Sequence, residues 1–221
     1  MEFSADIERM RDERKGFVMK RILSLLLCAA LLLPCALSCA ESAAFDGSVF
    51  AGKKGYTLRE DGSWTCVRGA EFPYPGFVIA VRISVSGKGD GTVEAPQLEV
   101  GLLKSSGSDE AAMDVTGAAF YMGSKAYAYE HLPAGSPYAC VPLYTQGKEL
   151  VQALSKVTEL TVRVFYKDNT KSVYDINNYF KEDLSAAAKD LLAADVWAFL
   201  TDPDGKWAEA EAAFPLKISD Q

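Results

Sequence analysis

The sequence predicts an α+β, β-rich fold: an antiparallel sheet or sandwich with one main C-terminal amphipathic helix packed on it. Three observations carry that expectation. Residues 77–86 alternate strictly, with Phe77, Ile79, Val81, Ile83 and Val85 on one side and Val78, Ala80, Arg82, Ser84 and Ser86 on the other. That is the period-2 pattern of a strand with one face on a core. Short apolar runs recur along the chain between Gly, Pro, Asn and Asp, the residues that turn a backbone. Near the C-terminus Phe180, Leu184, Ala188, Leu191, Leu192 and Phe199 fall at helical spacing, with Lys181, Asp183, Lys189 and Asp190 elsewhere around the helix.

The elements follow in order. Residues 56–60 and 63–67 flank Asp61-Gly62, whose tolerance of positive φ suits a tight type I′ turn, so a first hairpin is expected there. Residues 77–86 pair with 97–104, where Leu98, Val100 and Leu102 repeat the alternation after Pro96. The glycine-rich stretch 87–91 between them lacks the Gly-Lys-Ser/Thr ending and following helix of a phosphate-binding loop, and reads as a hairpin connection. Residues 119–122, 125–130 and 138–143 are shorter strands cut by Gly and Pro. Leu150, Val151 and Leu154 lie on one side of a short helix over 147–156. Residues 160–166 turn at Asp168-Asn169 and return through 172–176, and the main helix covers 178–200.

The first 40 residues read as an address. Lys20-Arg21 precede an apolar run over 22–37 that contains Pro34 and is shorter than the roughly 18–20 residues a spanning helix needs. Small residues follow, giving the n-region, h-region and cleavage site of an export signal over 19–40. Residues 1–18 carry mixed charge, unlike a signal's start, and read as a gene-calling extension ahead of Met19. Ser38-Cys39-Ala40 and Ser42-Ala43-Ala44 both fit the small-x-small rule of ordinary signal peptidase. Ala36-Leu37-Ser38-Cys39 resembles the lipobox of bacterial lipoproteins, a resemblance that implies a diacylated Cys39 as the new N-terminus. Residues 41–52, rich in Ala and Ser, read as a tether to a single β-rich extracytoplasmic domain over 53–221.

Composition narrows the function. The chain of 221 residues carries 30 acidic against 23 basic side chains, a net charge of -7, which gives no electrostatic footprint for nucleic acid. The single histidine, His131, leaves no stock of imidazoles for a multi-histidine metal site, and it follows Glu130 at the end of a strand as an exposed loop residue. No nucleophile-elbow motif accompanies it. After export, Cys66 and Cys140 are the pair left in the body, and a bridge between them would close a loop of about 75 residues and contribute about 3–5 kcal/mol. Two buried thiols are the alternative.

The remaining chemistry is carried by carboxylates and aromatics. Asp202, Asp204, Gly205 and Glu211 fall at positions 3, 5, 6 and 12 of an EF-hand-like loop starting at Leu200. Leu200 and Ala208 cannot serve at positions 1 and 9, so calcium is a weak expectation and an ordinary turn the stronger one. Asp109-Glu110 and Glu182-Asp183 are candidates by residue type for the carboxylate pair of glycoside hydrolysis, and read otherwise as solvated loop and helix faces. Tyr121, Tyr127, Tyr129, Tyr138 and Tyr144 lie close in sequence and are candidates for a carbohydrate or peptide platform. No cofactor is expected. The sequence reading is an exported envelope protein, most simply a non-enzymatic module for a glycan, peptide or protein, touching the membrane only through its signal or lipid. A secreted carboxylate-dependent hydrolase and a purely structural envelope lipoprotein are the alternatives.

Overall fold

The alternation over residues 77–86 becomes an eleven-residue strand, β3 (Phe77–Gly87), at the centre of a five-stranded antiparallel sheet. The computed structural model describes residues 44–105, 111–166, 171–175, 180–202 and 204–221. The expectations for residues 1–43, Cys39 among them, for Asp109-Glu110 and for the turn at Asp168-Asn169 lie outside the described residues.

The first sheet is completed by β1 (Tyr56–Leu58), β2 (Trp64–Tyr74), β4 (Gln97–Lys104) and β7 (Tyr138–Pro142), in the order β1-β2-β3-β4-β7. The second contains β5 (Val115–Met122), β6 (Lys125–Tyr129), β8 (Thr161–Tyr166), β9 (Lys171–Asp175) and β10 (Lys217–Asp220), in the order β10-β6-β5-β8-β9. All pairings are antiparallel. The β3–β4 ladder runs from Phe77 opposite Lys104 to Ser84 opposite Gln97, so Ile79, Val81 and Ile83 face the same side as Leu102, Val100 and Leu98. That register is dictated by the apolar set, because a one-residue slip would turn it out to water.

Among the described residues three α-helices join the sheets: α1 (Thr145–Ser155), α2 (Phe180–Ala194) and α3 (Trp207–Ala213). α2 lies against β2 and β3, α1 lies against α2, and the two sheets meet where β5 approaches β4 and β7. One continuous core results, in which Leu150, Leu154, Leu184 and Leu191 from the helices join Ile79, Val100, Phe120, Val162 and Val164 from the sheets. Among the described residues no helix is long and apolar enough to cross a membrane.

The expected main helix is present but shorter than 178–200. It stops at Ala194, where Asp195 adopts a left-handed conformation (φ 45°, ψ 45°) and its N–H donates to the Leu192 carbonyl. A 3-10 turn, Val196–Ala198, then places the Trp197 indole N–H 2.9 Å from the Leu143 carbonyl and 3.2 Å from that of Tyr144. α3 and β10 were not anticipated; each is short, and α3 buries no residue fully.

Two further expectations are corrected. Residues 44–52 are not a tether: a 3-10 helix, Gly47–Phe50, capped by the Asp46 carboxylate, buries Phe45 and Phe50 against Trp64. Cys66 and Cys140 are free thiols. They stand on β2 and β7 with β3 and β4 between them, three ordinary strand spacings or at least about 14 Å apart, twice the reach of a disulfide. They also face opposite ways. Cys66 opposes Val85 on the core side, whereas Cys140 opposes Glu99, which opposes Arg82, on the outer side.

Candidate functional site

A cleft of about 820 Å³ lies between the loop joining β1 to β2 and the loop that follows β3. Each loop is a hydrogen-bonded turn whose geometry follows from its sequence. In the first, Arg59 N–H donates to the Ser63 carbonyl at 2.8 Å and Gly62 N–H to the Arg59 carbonyl at 3.1 Å. Gly62 lies at φ 78°, so the connection is a three-residue loop ending in a left-handed glycine and not the two-residue turn expected from Asp61-Gly62. The Asp61 carboxylate accepts from the Ser63 N–H at 2.9 Å and hydroxyl at 2.6 Å, which fixes the tip.

The second loop follows the same logic. Lys88 N–H donates to the Thr92 carbonyl at 2.8 Å, Gly91 N–H to the Lys88 carbonyl at 3.1 Å, and Thr92 N–H to the Asp90 carboxylate at 2.8 Å. The glycine run is therefore the hairpin connection read from the sequence. Its glycines also let the two loops touch: a Cβ on Gly89 would stand 2.9 Å from the Asp61 carbonyl oxygen, closer than such atoms come.

Between the loops, Thr65 and Ser86 face each other across the β2–β3 ladder and form the floor. The Ser86 hydroxyl donates to the Glu94 carboxylate at 2.6 Å. Beneath lies Trp64, 3% exposed, its ring 5.6 Å from that of Phe45 and 5.4 Å from that of Phe50. Hydrogen bonds from Ser63 hold the Asp61 carboxyl below the usual range, with Arg59 adding to the effect; Thr92 does the same for Asp90, with Lys88 adding. Both acids are thus ionised and fixed in orientation.

The residues singled out in the sequence are distributed elsewhere. The five tyrosines do not form one platform, because strand alternation and sheet assignment separate them. Tyr127 and Tyr129 share the face of Phe120 and Ala118, and Tyr129 is buried in the core. Tyr121 is on the opposite face of the second sheet, beneath the Arg163 guanidinium at 4.9 Å. Tyr138 is on the outer face of the first sheet beneath Arg82 at 4.4 Å, and Tyr144 stacks on Trp207 at 5.0 Å.

The three calcium candidates have separate structural occupations. Asp202 accepts from the N–H groups of Lys206 and Trp207 at the start of α3, Asp204 pairs with the Lys206 ammonium at 2.8 Å, and Glu211 accepts from the Gln146 N–H at the start of α1. Among the described residues no group of three His, Cys, Asp or Glu side chains is placed to hold a metal ion. Asp183 pairs with Lys54 at 2.7 Å while its neighbour Glu182 is exposed, and His131 is exposed beyond β6.

The cleft itself was missed in the sequence. Both of its loops were legible as turns, but their apposition is set by the β1-β2-β3 pairing, which no local signal reports. Fold and cleft together define a strand-rich α+β protein of two antiparallel sheets with a polar cleft at one end of the first. No protein-family model, curated protein sequence or solved structure matches the chain.

Proposed function

We propose that this protein is an exported, non-enzymatic binding module of a bacterial cell envelope whose cleft between residues 59–63 and 88–92 receives a polar ligand, an envelope glycan or a peptide. The cleft supports the binding half of the reading. Its walls are two loops pinned by their own side chains, so little conformational entropy is lost when a ligand is gripped. Its lining offers hydroxyls at Thr65 and Ser86, ionised carboxylates and the cations Arg59 and Lys88, a stock of hydrogen-bonding groups suited to a polyhydroxylated or amide-rich partner. The basic run, apolar run and small residues over 19–44 support the export half.

Thermal unfolding of residues 44–221 against envelope glycans and peptides tests the reading. A ligand at about 100 times its Kd adds roughly 2.7 kcal/mol, which raises Tm by about 5–10 °C at this chain length. Ser86→Trp, placing an indole on the cleft floor, is expected to abolish the shift. A panel that leaves Tm unmoved, or a shift that survives Ser86→Trp, overturns the assignment of the cleft.

A further inference from the structure

The charged side chains that line the cleft are Arg59, Glu60, Asp61, Lys88, Asp90 and Glu94. Asp61 and Asp90 are answered within their own loops, by Ser63 with Arg59 close by and by Thr92 with Lys88 close by. Glu60 is exposed on the first loop. Glu94 is placed differently. Its N–H donates to the Ser86 carbonyl at 2.9 Å and its carboxylate Oε2 accepts from the Ser86 hydroxyl at 2.6 Å, so backbone and side chain are both tied to the cleft floor. The preceding Val93 is buried, which fixes the segment further. Among the described residues no lysine or arginine pairs with this carboxylate.

We propose that Glu94 is the specificity-determining residue of the cleft and that it selects a primary ammonium, carried by an amino sugar whose nitrogen is not acetylated. This rests on the reading of the cleft as a glycan or peptide site. Glu94 is exposed, so its charge is hydrated until a ligand fills the cleft and strips that water. A carboxylate that loses water is stabilised only by a counter-charge and donated hydrogen bonds. Arg59 and Lys88 are beside the loop aspartates, so the counter-charge comes with the ligand.

The geometry narrows the cation. A guanidinium fork needs both carboxylate oxygens, and Oε2 is held by Ser86. The remaining Oε1 suits an ammonium, with the Thr65 and Ser86 hydroxyl oxygens lining the same cleft as acceptors for its other N–H groups. The floor also favours a sugar over a peptide as the carrier. Thr65 pairs with Thr57 on one side and Ser86 on the other, and Ser86 with Thr65 and the Glu94 N–H, so no unpaired strand edge receives a peptide backbone. Hydroxyls and carboxylates are what a hydroxylated ring can use.

The test is calorimetric titration of the full-length protein with glucosamine oligomers, their N-acetylated counterparts and a lysine-containing peptide, in weakly acid buffer where amines are protonated. The glucosamine oligomer is expected to bind about tenfold or more tighter than the acetylated one, the low end of what a hydrogen bond to a charged group contributes. Glu94→Gln keeps an acceptor for the Ser86 hydroxyl and removes the charge, so it is expected to bring the two sugars level while the acetylated oligomer binds as in the parent. A preference that survives Glu94→Gln, or equal losses for both sugars, overturns the assignment. A peptide that binds tighter than the amino sugar and is lost in Glu94→Gln overturns the choice of carrier. A neutral glycan that binds best and is lost in Ser86→Trp leaves the cleft standing and overturns the selection of an ammonium, whereas no binding by any probe overturns both.

Discussion

Arg68 sits on the inner face of β2 with its side chain 11% exposed, beside Phe50, Cys66, Ile83 and Leu191. Its guanidinium pairs with Asp190 of α2, whose other carboxylate oxygen takes the Lys53 ammonium at 3.0 Å. A charge in such surroundings is tolerable only while paired, since the desolvation of an ion exceeds what one lost contact returns. Asp190→Ala therefore strands Arg68 and is expected to lower stability by about 2–4 kcal/mol, below the full figure for a wholly buried pair because Asp190 keeps partial exposure. The double variant Arg68→Met with Asp190→Leu removes both charges and should return to within about 1 kcal/mol of the parent. Urea unfolding of the parent and these two variants measures it; a loss under about 1 kcal/mol in Asp190→Ala would mean that the pair is solvated. The pair was not legible in the sequence. Arg68 and Asp190 are 122 residues apart, and Arg68 stands in a strand whose side chains alternate with no apolar rhythm that would mark position 68 as inward.

At the scale of elements, what was legible is what repeats. β3 and β4 were readable to within a residue because their apolar positions alternate without interruption, and period 2 has one structural meaning. The Gly47–Phe50 helix was unreadable for the converse reason. Phe45 and Phe50 are two aromatics among Ala, Gly and Ser, a spacing with no period, and their burial is created by Trp64 and Phe199 arriving from distant parts of the chain. The tyrosines show the same limit on the functional side: proximity in sequence put Tyr121, Tyr127 and Tyr129 together, while the alternation of β5 and β6 put Tyr121 on one face and the other two on the opposite face. The aromatic cluster has a measurable consequence. A chain beginning at residue 53 lacks Phe45 and Phe50 and leaves Trp64 without two of its ring neighbours. Loss of one buried phenylalanine costs about 3–5 kcal/mol and the two together most of an ordinary domain's stability. Residues 53–221 are therefore expected to show no cooperative thermal transition where 44–221 shows one. Equal transitions in the two would restore the tether.

For the whole molecule, acid and base act on different parts of the fold. The carboxyls of Asp46, Asp61, Asp90 and Glu130 are held below their ordinary values by hydrogen bonds from Ser48, Ser63, Thr92 and Lys217 respectively. A depressed folded value contributes stability that is present above the unfolded value, near pH 4, and is lost as pH falls through the folded value. These groups are all on exposed turns and strand ends, so the acid limb of the stability profile reports turn chemistry and is shallow. On the alkaline side burial pushes the Tyr129 hydroxyl up, with the Glu211 charge adding, and burial likewise raises the Cys66 thiol. A raised folded value contributes stability that is complete below the unfolded value, about 8.5 for the thiol and about 10 for the phenol, and is lost as pH rises through the folded one. Both groups belong to the core, so the alkaline limb is the steeper. Tm is therefore expected to be level between about pH 5 and 8.5, to decline gently in acid, and to fall from about pH 8.5 and more steeply above about pH 10. Asp61→Asn should soften only the acid decline. Tyr129→Phe should soften the alkaline one above about pH 10 and leave the part set by Cys66, since phenylalanine fills the same place among Val141, Gly147 and Phe214 with nothing to ionise. An alkaline limb unchanged in Tyr129→Phe would show that this hydroxyl reaches water, and with it that α3 and the segment leading into β10 do not close over β6 as they do here.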